Sequence, residues 1–251
     1  MYPLLEFDPD PKAFIEPEQI TDAMDVPERC VICFFREVVE KVASEHQAKV
    51  LTEHRWEDGP HPLYEIEYSG ARLAFFQPGV GAPLAAGLLE EVIACGCCKF
   101  VALGGCGILE KGLEVGKLIV VDSAVRDEGV SYHYLPPSRE IQAQSEALEQ
   151  IERILKDRAI PYVLGKTWAT DAPYRETRAK IAARRTEGCL AVEMEAAALM
   201  AVAQFRGTPF GQILYAGDDL SGEDWDHRGW QSRREVREQL FWLGAEVCVN
   251  L

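Results

Sequence analysis

The fold class this sequence predicts is α/β, a single domain, and three observations carry that reading. Strand-like and helix-like segments alternate along most of the chain, the pattern of a mixed or parallel sheet covered by helices on both faces. The length of 251 residues suits one large domain with a sizeable core. Gly96, Gly188 and Gly207 each fall just past a helical pattern, where a left-handed residue closes the last turn.

Taken in order, residues 1–27 are proline-broken and acidic and read as an arm packed on the domain or on a partner subunit; residues 28–251 form the domain. "RCVICFF" (29–35), "YEIEYSGARLAFFQP" (64–78), "KFVALGGCG" (99–107) and "GKLIVVDSAV" (116–125) read as strands, being rich in β-branched and aromatic residues and bounded by turn formers. "YVLGKTWAT" (162–170), "CLAVEM" (189–194) and "FGQILYAGD" (210–218) read the same way. Apolar spacing of three and four predicts helices over 82–96, 139–158, 175–187, 195–206 and 231–247.

Composition narrows the function classes. With 47% hydrophobic and 27% charged residues the chain has a globular composition, and no low-complexity tract, heptad run or repeat interrupts it. No stretch approaches the roughly 20 apolar residues of a membrane span. The opening "MYPLLEFDPDPKAF" lacks the basic-then-apolar order of a targeting signal, so a soluble, cytoplasmic protein is expected. A net charge of −15 argues against nucleic acid or an anionic membrane as the main partner. Of the eight cysteines, Cys30, Cys33, Cys95, Cys97, Cys98 and Cys106 lie in or beside apolar runs and read as reduced core residues. Cys30/Cys33 and "CGCC" have the spacing of metal knuckles, but no second pair follows to close a tetrahedral site, and no metal is expected.

Three stretches carry chemistry. "LAVEMEAAAL" (190–199) puts Glu193, Met194 and Glu195 where a buried strand hands over to a helix. Acidic residues there suit a helix start through the helix dipole; they equally suit a ligand site, since open α/β sheets place chemistry at strand ends. "QPGVGAPLAAG" (77–87) and "LGGCGILEKG" (103–112) follow strands, yet neither completes G-x-G-x-x-G, because Leu84 and Glu110 stand at the last glycine's place. Their glycines offer tight turns, or a nest of amides for an anion. "LYAGDDLSGEDWDHRGW" (214–230) ends a strand in Asp218 and Asp219, which would sit beside the "VEME" carboxylates if the two strands are neighbours. Clustered carboxyls raise each other's pKa, so one could serve as a general acid; a solvated turn or a divalent-cation loop are the alternatives.

In this order and spacing, "PGVGAP", "LGGCGIL", "SAVRDEGVSYHY", "TDAPYRET", "AVEMEAAAL" and "YAGDDLSG" resemble the nucleoside phosphorylases of the purine nucleoside and uridine phosphorylase superfamily, which also includes nucleosidases. The resemblance covers roughly residues 62–251. It implies a single three-layer α/β/α domain around a mixed, partly barrel-like sheet, in dimers, trimers or hexamers of identical chains. It implies that Glu195 accepts the ribose 2′- and 3′-hydroxyls, with Met194 against the sugar and Glu193 as support. A carboxylate there stabilises the oxocarbenium-like sugar formed as the N-glycosidic bond breaks. Asp218 would protonate the leaving base, Asp219 being the fallback. Pro173 stands where the family has a base-stacking phenylalanine, which leaves Tyr174 or Trp168 to supply the ring. His133 would reach the sugar 5′ end from a neighbouring subunit.

Phosphate is the implied co-substrate, with no other cofactor. The glycine turns, through Gly81, Gly104 and Gly105, would hold it, although Ala102 and Gly105 replace the family's arginine and serine. Arg36, following the first strand, is the leading replacement cation, with Arg126 and Arg175 as others. Three functions remain open: phosphorolysis of a nucleoside to free base and (deoxy)ribose 1-phosphate, hydrolysis of the same bond by water, and a non-catalytic nucleoside-binding module.

Overall fold

The structure is a computed structural model that describes residues 2–251. In chain order the first elements are β1 (Arg29–Cys33), α1 (Arg36–Glu45), β2 (Lys49–Trp56), β3 (Gly59–Tyr68), β4 (Ala71–Phe76), α2 (Ala82–Cys95) and β5 (Lys99–Ile108). There follow β6 (Leu118–Asp127), α3 (Ser131–Tyr134), β7 (Glu140–Gln142), α4 (Ser145–Asp157) and β8 (Tyr162–Thr170). The chain closes with α5 (Arg178–Thr186), β9 (Cys189–Glu193), α6 (Ala196–Arg206), β10 (Phe210–Asp219) and α7 (Arg234–Val249).

All ten strands join one mixed sheet, ordered β10-β6-β8-β9-β5-β1-β4-β3-β2 with β7 on β6. A further pairing of β10 with β5 closes β5, β10, β6, β8 and β9 into a ring, from which β1, β4, β3 and β2 extend as an open limb. The sheet is therefore part barrel, part open. β9 and β10 are not neighbours: β5 lies between them, parallel to β10 and antiparallel to β9.

Strand alternation supplies the layering. Along β5, Phe100 and Ala102 face one core while Val101 and Leu103 face the other. β1 and β4 divide in the same way, Ile32 and Phe76 on one side and Val31 and Phe75 on the other. α2 and α6 cover the first face through Leu88, Leu89, Leu199 and Val202. α1, α4 and α7 cover the second through Val38, Ile151 and Phe241, whose ring meets Phe75 edge-on at 5.4 Å. Each such side chain stabilises the fold by roughly 1.5–3 kcal/mol on burial. α7 comes so close to β5 that a Cβ on Gly244 would meet Leu103 Cδ1 at 2.5 Å. All eight cysteines are free, and all but Cys98 are buried.

Several boundaries differ from those predicted. The stretch 64–78 is a hairpin, not one strand: it turns at Ser69 and Gly70, whose φ angles of 52° and 77° suit a tight two-residue connection. β2, α1 and α3 were not anticipated. In α1 the buried Val38, Val39 and Val42 follow helical spacing, but the apolar run of β1 leads straight into it. Of the helix predicted over 139–158 only Ser145 onward is helical, because Glu140–Gln142 pairs with β6. No helix is long and apolar enough to cross a membrane, among the described residues.

Candidate active site

The ends of β5, β9 and β10 wall a cavity of about 760 Å³. β5 contributes Gly105, Cys106 and Gly107, β9 and the turn after it Glu193 and Met194, and β10 Asp218. The segment 173–185 and the loop after β10 close it, through Tyr174, Glu176, Trp225 and Trp230 among others. Glycine at 107 leaves room: a Cβ there would lie 3.0 Å from Val192 Cγ1 and 3.6 Å from Asp218 Oδ1. Asp218 Oδ1 thus faces the gap between the strands, while its Oδ2 accepts the Trp225 indole N–H at 2.7 Å.

The two glutamates of "VEME" take different partners, and of the two Glu193 lines the cavity while Glu195 does not. Glu193 Oε2 accepts the amides of Glu195 and Ala196, each at 2.7 Å, and so caps the start of α6. Glu195 turns instead to α2, where Oε1 accepts the Gly81 amide at 2.5 Å. Both carboxyls are buried, and burial lifts both above the ordinary carboxylate range; the charge of Glu195 lifts Glu193 further, against the amide bonds that favour ionisation. Met194, half-buried between them in sequence, lines the cavity.

Asp218 and Asp219 separate cleanly. Asp219 is tied up: one oxygen accepts the Ser221 amide at 2.7 Å and the other pairs with Arg228. Its backbone exchanges hydrogen bonds with Asp226, pinning the loop. Asp218 alone faces the cavity. Close to it, Glu176 is pushed up to about 7 by burial and then by the charge of Asp218. Burial, with Glu193 and Asp218, also pushes the Cys106 thiol well up.

Other expected site residues lie elsewhere. Trp168 is fully buried with Leu109, Val125, Cys189 and Val192, and its indole donates to Asp127 at 3.0 Å, so its ring does not reach the cavity. Tyr174 does line the cavity, although it is 98% exposed. His133 stands exposed on α3 and does not line this chain's cavity.

Arg36 does not line the cavity. It opens α1, its side chain is 76% exposed, and it pairs with Glu40 at 3.1 Å one turn on. Arg126 is locked against Ser131, Ser138 and the carbonyls of Leu135 and Pro136, and Arg175 is exposed outside the cavity. The arginines that line the cavity, among the described residues, are Arg178 and Arg185 on the segment from α5. The glycine stretches are not open nests either. The Gly79 amide is taken by Gln77 at 3.1 Å and that of Gly81 by Glu195. Gly104 and Gly105 lie within β5, in register with Leu214 and Tyr215 of β10.

Sequence reading missed Glu176, Arg178, Arg185, Trp225 and Trp230. For Trp225 a signal existed: a large ring in an acidic, glycine-bearing loop suits ligand contact, whereas Trp230 packs against the core that holds Tyr215.

A family model described as the phosphorylase superfamily matches residues 28–240. The chain is 29% identical over 160 residues to a guanosine phosphorylase of Halorubrum lacusprofundi, covering 64% of this chain and 66% of the relative. It is 31% identical over 108 residues to a uridine phosphorylase of Thermococcus kodakarensis, covering 43% and 39%. The match thus spans less than two thirds of either relative. In three dimensions it is similar to a uridine phosphorylase from Vibrio fischeri, with a TM-score of 0.79 at 21% identity over 93% of this chain and 99% of the other. It is also similar to an AMP nucleosidase from Bacteroides thetaiotaomicron, with a TM-score of 0.72 at 20% identity over 89% and 87%. With the family model spanning nearly the whole domain, the chain belongs to the phosphorylase superfamily.

Proposed function

We propose that this chain cleaves the N-glycosidic bond of a nucleoside. The observation that carries the reading is the convergence of Met194, Glu193 and Asp218 on one cavity, with Glu195 buried directly behind the turn that bears Met194. Glu195 and Met194 hold the sugar, and Asp218 serves the leaving base. Charge on Glu195 would stabilise the cationic sugar of the transition state, and a proton delivered at the base would make it a better leaving group.

Phosphate as acceptor, giving ribose 1-phosphate, is the reading supported by relatives named as phosphorylases. A second reading, hydrolysis by water, is supported by a specific observation: Arg36 lies in solvent and the Gly79 and Gly81 amides are already occupied. An anion near Glu193 and Glu195 needs a facing cation in a chain of net charge −15, and in the phosphorolysis reading Arg178 and Arg185 of the cavity wall take that role in place of Arg36. One experiment tests both readings: base release from a panel of purine and pyrimidine nucleosides, with and without phosphate. Phosphate-dependent release with ribose 1-phosphate as product supports phosphorolysis; equal release without phosphate supports hydrolysis; no release from any nucleoside overturns the function. Arg36→Ala is expected to leave either outcome unchanged.

A further inference from the structure

The loop after β10 is closed at its base. Asp219 and Asp226 exchange backbone hydrogen bonds of 2.8 and 3.0 Å, and Arg228 joins the Asp219 carboxylate to the Leu113 carbonyl, the latter at 2.7 Å. Trp225 comes immediately before this pin. Its ring lines the cavity yet is 62% exposed, and His227 packs edge-on against it at 5.4 Å. An indole so placed leaves apolar area in water that a ligand could cover. Its N–H is nevertheless committed, to Asp218 Oδ2.

Of the rings expected over the base, Trp168 is sealed in a core, and Tyr174, beside Pro173, lines the cavity but stands 98% exposed with no hydrogen bond to the carboxylates of the site. Trp225 therefore joins two properties, a ring held in position at the cavity wall and a direct bond to the carboxylate that serves the base. We propose that Trp225 is a positioning residue that orients Asp218 through its indole N–H and covers the base of a bound nucleoside with its ring. With Oδ2 held by the indole, Oδ1 is left facing the gap at Gly107. A flat ligand ring is the chemical class that such a wall takes, and the wide face of an indole favours a bicyclic purine over a pyrimidine.

This rests on the reaction proposed above, and two substitutions separate the parts. Trp225→Phe keeps a ring and removes the donor; Trp225→Leu removes both. With inosine, Trp225→Phe should lower kcat about tenfold, the effect of one hydrogen bond to a charged group, with KM within about twofold. Trp225→Leu should lower kcat similarly and raise KM as well. On 4-nitrophenyl β-riboside, whose leaving group needs no proton, the Trp225→Phe loss should vanish, which a merely structural defect would not allow. Wild-type kcat and KM in both variants would overturn the role of Trp225 while leaving glycosidic cleavage standing. If the wild-type protein releases base from no nucleoside, the proposed reaction falls, and hypoxanthine titration decides for the indole. Tryptophan quenching lost in Trp225→Phe supports it, and equal quenching overturns it.

Discussion

Glu195 accepts the Gly81 amide at 2.5 Å, so the carboxylate at the start of α6 is fastened to the start of α2. A glutamine at 195 can accept the same amide and keep this link while removing the charge. Glu195→Gln is therefore expected to fold with a Tm close to wild type. Its kcat/KM on nucleosides should fall by about 100-fold or more, the scale of a lost electrostatic contact to the transition state. Unchanged steady-state kinetics would exclude Glu195 from the sugar site.

The two aspartates ending β10 should fail in different assays. Asp218→Asn is expected to reduce turnover by about 10²–10⁴, the usual contribution of a general acid, with little change in stability. Asp219→Asn weakens the pairing with Arg228 at the loop base and is expected to lower stability by about 1.5–3 kcal/mol in urea unfolding. Its turnover should change far less. Equal kinetic losses in both would contradict the division of labour.

Stability should depend on pH through the buried glutamates. Glu193 and Glu195 have folded-state pKa values raised above the ordinary 4.5, so between these values the folded state holds protons that the unfolded chain has released. Their contribution to stability consequently falls as pH rises from about 5 towards about 8. In Glu193→Gln/Glu195→Gln that contribution is absent, and the Tm of the double variant should gain on wild type across this interval. Parallel Tm-against-pH curves would count against buried, proton-holding carboxyls.

Gly107 tests how tightly the strand ends are packed. A Cβ at this position would stand 2.6 Å from Leu220 Cδ1 and 3.0 Å from Val192 Cγ1, so both neighbours must shift. Gly107→Ala is expected to lower stability by about 1–3 kcal/mol, as overpacking does. The KM for nucleosides should rise, because Leu220 lies in the cavity wall. A change in stability below about 0.5 kcal/mol would mean that the loop yields freely.

Local chemistry decided what could be read in advance. β8 runs over 162–170 as predicted, because its run of strand formers is bounded clearly at both ends. The hairpin at Ser69 and Gly70 was hidden inside a continuous apolar stretch, and α1 behind the run of β1. Met194 and Asp218 at the cavity were legible because strand ends carry them there. That Arg36 pairs with Glu40, or that Trp225 bonds Asp218, depends on side-chain directions and on a loop crossing that no local pattern encodes. The adjacency assumed for β9 and β10 failed for a similar reason: β5 inserts between them through long-range pairing.

That insertion has a consequence for how the molecule forms. Phe100 pairs with Phe210, partners far apart in the chain, and the ring stays open until β10 has been synthesised and docked. Such non-local pairing carries a large loop-closure entropy before it is rewarded and slows folding. The pocket walls, Gly105 to Gly107 on β5 and Asp218 on β10, can meet only at this closing event. A nascent chain halted before residue 210 should therefore lack both the closed ring and the cover that α7 gives the limb at Phe75, and be unable to retain a nucleoside, so that ligand capture would report completion of the ring.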